Sequence, residues 1–105
     1  MLSEQDIERV ASILAERVAS PAKVILFGSY ARGTGGTDSD LDFLVVEEQV
    51  EDTVREAARL RRALPPLGVA IDVLTMSAAE AERRRNWPGS VVKVAFREGK
   101  ILAES

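Results

Sequence analysis

Apolar residues recur along this chain at two periods, and the switches between them lay out the domain. From Ser3 to Ala19, Ile7, Val10, Ala11, Leu14 and Val18 fall on one face at helical spacing. Ser3 caps this helix with Asp6 three residues on, in capping-box position, and Ser20-Pro21 ends it. Lys23 to Phe27 carries Val24-Ile25-Leu26-Phe27, a short β-branched and aromatic run that predicts a buried strand. A second strand is predicted over about Leu41 to Val46, and a helix over about Glu51 to Leu64, stopped by Pro65-Pro66-Leu67-Gly68. Val69-Ala70-Ile71-Asp72-Val73-Leu74 predicts the third strand, almost wholly apolar and therefore central or well covered. Ser77-Ala78-Ala79-Glu80 starts a short helix to about Arg85. Asn86-Trp87-Pro88-Gly89 reads as a loop whose Trp should be half buried. Ser90 to Glu98 predicts a last helix with Gly99 as its stop, and Ile101-Leu102 a short extended piece.

Two stretches break this pattern. Between the first two strands the chain reads GSYARGTGGTDSD. Gly28-Ser29 stops the strand, and Tyr30-Ala31-Arg32 can start a short helix whose free N–H groups attract an anion, phosphate above all. Gly33 to Asp38, with three glycines and two threonines, is flexible in composition. In the second strand, residues two apart share a side, so Asp40 and Asp42 project together while Leu41, Phe43 and Val45 project the other way. At ~5 Å and an effective dielectric of about 20, two such carboxylates repel by roughly 3 kcal/mol. Water, a raised pKa or a bound cation can relieve that cost, and beside a phosphate-receiving turn the cation is the most economical device. Mg²⁺ prefers one or two carboxylates together with substrate phosphate oxygens. A lone Asp72 inside an apolar strand costs several kcal/mol uncompensated; alone it reads as a hydrogen-bonded or strand-end Asp, and beside Asp40 and Asp42 as the third ligand candidate.

Composition narrows the chemistry further. The 105 residues fit one small domain, 1–105. There is no histidine and no cysteine, which excludes imidazole bases, thiolate nucleophiles and the usual zinc sites. Carboxylates, hydroxyls, Lys, Arg and a hard metal remain. The net charge of −3 gives no general grip on nucleic acid, although Arg55, Arg59, Arg61 and Arg62, and then Arg83-Arg84-Arg85, make local basic stretches. These read first as solvated faces, with partner or nucleotide contact as the rival reading. No apolar run approaches ~18 residues and no signal-peptide pattern is present, so a cytoplasmic protein with no membrane partner is expected.

If Gly28-Ser29 and Asp40 touch one phosphate–metal complex, the end of strand one adjoins the start of strand two and the two strands are antiparallel. A helical crossover then makes strand three parallel to strand two. The expected fold is α/β (α+β): a small mixed three-stranded sheet with packed helices, and Asp40, Asp42 and Asp72 on one side. Gly-Ser, Asp-x-Asp and a later strand Asp, in the runs GSYARG and SDLDFLVV, resemble the nucleotidyltransferase fold of the DNA polymerase beta superfamily, over essentially the whole chain. The tail VVKVAFREGKILAE is similar to that family's helix–Gly–strand ending, and the length resembles its minimal members.

The resemblance implies a reaction. Gly28 and Ser29 would hold the β- and γ-phosphates of ATP or another nucleoside triphosphate, and Asp40 and Asp42 two Mg²⁺ ions. Asp72 would complete the nucleophile-side ion and take the hydroxyl proton. Arg32 is a candidate either for phosphate contact or for an ion pair within the fold. Minimal members are often paired with a helical HEPN-domain toxin, so two functions stay open. One is an antitoxin that transfers AMP to a hydroxyl of its partner. The other is a non-catalytic antitoxin that neutralises by contact. A metal-dependent sugar transferase using Asp-x-Asp is a third, weaker idea, since such enzymes are much longer.

Overall fold

The structure, a computed structural model, describes residues 2–28, 30–33 and 40–105. Helix α1 (Glu4–Arg17) begins with the reciprocal Ser3–Asp6 capping box. Strands β1 (Ala22–Phe27) and β2 (Leu41–Glu47) follow, then helix α2 (Thr53–Arg62), strand β3 (Ile71–Ser77), helices α3 (Ala78–Arg84) and α4 (Val91–Glu98), and strand β4 (Lys100–Glu104).

The sheet has four strands in the order β3-β2-β1-β4, with β2 antiparallel to β1 and parallel to β3. The expected three-strand arrangement is therefore present with one strand added. The predicted extended piece at Ile101-Leu102 is long enough to pair antiparallel with β1, opposite Lys23 to Leu26. Gly99 makes that reversal possible. A Cβ there would lie 2.7 Å from Ile25 Cγ2 and 2.9 Å from the Leu26 carbonyl oxygen, so only glycine lets α4 turn so tightly against β1.

Strand alternation divides the core between the two sheet faces. Val24, Leu26, Leu41, Phe43, Val45 and Val73 pack on one side with Ile7, Val10, Ala11 and Leu14 of α1 and Leu60 of α2. Ile25, Leu44, Val46 and Met76 pack on the other with Ala81 of α3 and Val92 and Ala95 of α4. With helices on both faces, β2 is buried along nearly its whole length, and only Asp42 keeps partial exposure.

Four local expectations are corrected. Strand β3, expected to be central or well covered, is an edge strand on which Asp72 and Leu74 are exposed. Strand β3 lies later than its apolar run suggested, at Ile71–Ser77, because its ladder is set by β2. The Leu41 N–H donates to the Ala70 carbonyl at 2.9 Å, which fixes the register, and the length of β2 then carries Thr75, Met76 and Ser77 into the sheet. Tyr30 to Gly33 form a single turn, with the Arg32 N–H on the Gly28 carbonyl and the Gly33 N–H on the Tyr30 carbonyl, each at 3.2 Å, rather than a helix. Trp87 is exposed, not half buried.

At the far end of β2 a carboxyl pair ties α1 to the sheet. Glu47 is fully buried, and its Oε1 accepts from the Ala19 and Ser20 N–H groups at 3.1 and 3.3 Å. Glu56 Oε2 accepts from the same Ala19 N–H at 3.3 Å, while its Oε1 accepts from Arg59 at 2.8 Å. Arg59 also donates to the Arg17 carbonyl at 2.6 Å, closing the end of α1. Burial, then the hydrogen bond and charge of Glu56, raise the Glu47 carboxyl to about 7. Arg59 holds Glu56 below its usual value. Among the described residues no donor reaches the buried Glu47 Oε2, which together with the neighbouring Glu56 carboxyl favours the protonated form of Glu47.

Candidate active site

The register of three strands builds the site. Phe27, the last residue of β1, stands opposite Asp42, and Asp42 stands opposite Asp72. Gly28 follows Phe27 at once. The turn after β1 and two strand carboxyls therefore come to one end of the sheet, with Asp42 in the middle.

Gly28 has φ +81°, a conformation that L side chains rarely adopt. It is also packed against Asp42: a Cβ on Gly28 would overlap the carboxylate, whose Cγ would be only 3.3 Å away. Glycine is thus favoured by the turn, and any larger residue there would also have to push the Asp42 carboxylate aside. Ser29, predicted to share the phosphate contact, lies outside the described residues, as does most of the glycine-rich stretch after Gly33.

Asp42 is half-buried, whereas Asp40 and Asp72 are exposed. Burial raises the Asp42 pKa most, followed by the charges of Asp72 and Asp40 and by a hydrogen bond to the Asp72 carboxyl; Arg32 opposes them. The three predicted carboxylates are close enough to repel one another through Asp42. Even so, among the described residues no group of three or more His, Cys, Asp or Glu side chains is gathered into a ready-made ion cage.

The donor set suits a hard cation all the same. It offers only carboxylate oxygens, in a chain without His or Cys, and part of its cost is mutual repulsion that a cation would cancel. A site completed by substrate oxygens rather than by protein alone matches the way Mg²⁺ is usually held.

Arg32 makes the ion pair left open by its sequence context. Its Nη1 lies 3.3 Å from Glu98 Oε2 at the end of α4, and both side chains are substantially exposed. It remains near enough to Asp42 to act on it electrostatically. Glu98 was not legible as part of this neighbourhood, because its place follows from α4 crossing β1. Lys100 reaches the same end of the sheet, opposite Leu26, through the β4 pairing. Some arginines of the basic stretches pair locally: Arg59 with Glu56, Arg83 and Arg84 both with Glu80, and Arg85 with Glu82.

A mixed sheet with helices on both faces, a glycine turn leaving its first strand and aspartates facing each other across the next two define a nucleotidyltransferase fold. The chain belongs to the nucleotidyltransferase domain family, whose model matches residues 7–101, and is accordingly a nucleotidyltransferase. It is similar to a protein of Methanocaldococcus jannaschii described as a "Putative protein adenylyltransferase", with 35% identity over 80 residues, 76% of either chain. Among solved structures, a toxin–antitoxin crystal structure with AMP-PNP shares the fold at TM-score 0.62 and 24% identity, over 97% of this chain and 73% of that one. A chain from Sulfolobus solfataricus described as a "putative nucleotidyltransferase" shares it at TM-score 0.57 and 21% identity, over 75% of this chain and 70% of that one. Among the described residues no helix is long and apolar enough to cross a membrane.

Proposed function

We propose that this chain transfers a nucleoside monophosphate, AMP from ATP, to a hydroxyl group of a partner protein, and that the partner is a HEPN-type toxin for which it is the antitoxin. The observation that carries the transfer reading is the Asp42–Asp72 pair, held in register beside Gly28 at an electrostatic cost to the empty fold. The relative described as a protein adenylyltransferase supports a protein acceptor. The likeness to toxin–antitoxin structures, one with AMP-PNP, supports the antitoxin setting and the adenine nucleotide.

In this reading Gly28 and Ser29 receive the β- and γ-phosphates, and Arg32 leaves Glu98 or adds to it a phosphate contact. Asp40, Asp42 and Asp72 would hold Mg²⁺, which would neutralise charge on the triphosphate and on the entering hydroxyl oxygen. Asp72, the carboxylate on the outer strand β3, takes the proton of that hydroxyl. The hydroxyl oxygen forms its bond to the α-phosphorus as the bond to the β-phosphate oxygen breaks, and pyrophosphate leaves on the Gly28 side.

The test is incubation with radiolabelled ATP, Mg²⁺ and the protein encoded beside it, followed by mass spectrometry of that partner. An AMP adduct on a hydroxyl side chain is expected. Full neutralisation of the partner without any adduct, unchanged in an Asp72→Asn variant, would replace this reading with neutralisation by contact.

A further inference from the structure

The sheet order separates the two ends of the reaction. Gly28 follows β1, Asp42 lies on β2 and Asp72 on β3, so phosphate turn and outer carboxylate flank Asp42 on opposite sides. In-line displacement puts entering and leaving oxygens on opposite sides of phosphorus. With the leaving pyrophosphate at Gly28, the acceptor must enter over β3.

Strand β3 is an edge of the sheet. Because the Ala70 carbonyl points to β2, alternation turns the peptide groups of Ile71, Val73 and Thr75 outward. Among the described residues no strand pairs with that edge, and it carries neither Pro nor Lys to blunt it. On the face shared by Asp72, the next side chain along the strand is Leu74, 42% exposed. Leu74 opens into a groove of about 490 Å³ walled by Trp87, Pro88 and Val91, with Trp87 54% and Val91 46% exposed. Arg84, fixed by Glu80 at 2.5 Å, lies 5.7 Å over the Trp87 ring and orients it.

We propose that an extended segment of the acceptor protein adds to the free edge of β3, with its hydroxyl side chain at Asp72 and an apolar side chain two residues away in the Leu74–Trp87 groove. The proposal rests on the transfer reading above and names the surface that serves it. The outward peptide groups select a polypeptide in extended form, since strand addition satisfies all of them. Leu74 at the mouth of the groove follows Asp72 by two residues on the same strand face, one strand repeat of about 7 Å away. An acceptor strand therefore carries hydroxyl and anchor at a spacing of two.

The experiment uses fluorescein-labelled ten-residue peptides with one central Tyr and either Leu or Asp at both positions two residues away. Binding is read by polarisation and transfer by label from α-³²P-ATP with Mg²⁺. Leu peptides are expected to bind and to be labelled at least tenfold better than Asp peptides. N-methylation at alternate backbone positions should abolish binding in one phase and not in the other. Leu74→Lys and Trp87→Ala should each lose the Leu preference while keeping AMP-PNP affinity within twofold and an unchanged melting curve. Labelling that ignores the flanking residue and both variants overturns the dock and leaves the transfer reading standing. Phase-dependent binding without labelling keeps the dock and overturns transfer. Neither binding nor labelling overturns both. Loss of AMP-PNP affinity in Trp87→Ala would give the groove to the nucleobase, and loss of a self-dimer in Leu74→Lys without any effect on peptide would give the edge to a second copy of this chain; each result overturns the proposal.

Discussion

Asp42 and Asp72 stand directly opposite each other in a parallel strand pair, and the Asp42 carboxyl is raised by burial and by its neighbours' charge. A carboxyl whose folded pKa is raised stabilises the fold below its unfolded pKa and loses that contribution as pH rises through the folded value. At neutral pH Asp42 is therefore a cost to the empty protein. Asp42→Asn should raise the melting temperature of the metal-free protein at pH 7.5 by a few degrees, and should raise it less at pH 4. The wild type should also gain stability from Mg²⁺ with AMP-PNP by mass action, and Asp42→Asn and Asp40→Asn should lose most of that gain. An undiminished Mg²⁺–nucleotide shift in both variants would end the metal-site reading.

Gly28 is strained for any other residue and pressed against the Asp42 carboxylate. Gly28→Ala should cost about 1–2 kcal/mol from the left-handed backbone, with a further steric part from Asp42, and should weaken AMP-PNP binding. The two parts separate in a double variant. If the steric part is real, Gly28→Ala with Asp42→Ala will be more stable than the sum of the single effects, as expected for residues in contact. Strict additivity in thermal melts would remove the close approach from the explanation.

The far carboxyl pair predicts a second pH response, independent of nucleotide. Glu47 is raised to about 7, so its contribution is full below its unfolded value near 4.5 and is lost as pH climbs through about 7. Glu56 is lowered by Arg59, so its contribution is present at neutral pH and is lost only on strong acidification. Between pH 5 and 8 the Glu47 effect dominates. Glu47→Gln keeps an acceptor for the Ala19 and Ser20 N–H groups and a permanent donor to Glu56. Its melting temperature should overtake that of the wild type as pH rises to 8, by on the order of 5 °C, the shift that about 1 kcal/mol gives a domain this size. Parallel pH profiles for the two proteins would show that Glu47 carries no shared proton.

What could be read from the sequence was local chemistry with a strict period or cap. The α1 stripe and the Ser3–Asp6 box need only neighbouring residues, and so does the Ser77 cap. The Gly28 turn was legible because a glycine closing an apolar strand has few other uses. What depends on a distant partner was not. The limits of β3 follow from the length of β2, the pairing of the predicted extended tail with β1 from Gly99 letting it fold back, and the Arg32–Glu98 pair from where α4 crosses β1. Glu47 fell just past the predicted second strand, yet it is fully buried, because Glu56 and the end of α1 converge on it from other elements.

Asp72 lies on the outer strand, exposed, and away from the turn that would take the phosphates, whereas Asp42 touches that turn. Their roles should therefore separate. Asp72→Asn should keep Mg²⁺–AMP-PNP affinity within a few-fold, since Gly28, Asp40 and Asp42 are untouched, yet lose transfer to the partner by several orders of magnitude. Acid–base assistance alone accounts for about 10²–10⁴ of that loss, and the weakened cation site at the hydroxyl supplies the remainder. The two losses differ in pH dependence. If Asp72 receives the proton, the residual activity of Asp72→Asn should rise with hydroxide and close part of the gap to the wild type at high pH. Asp72→Glu, which keeps the base on a longer arm, should recover part of the transfer rate without changing nucleotide affinity. Equal loss of nucleotide binding and transfer in Asp72→Asn, with no recovery in Asp72→Glu, would place Asp72 with Asp40 and Asp42 in holding the triphosphate and leave the proton to another group.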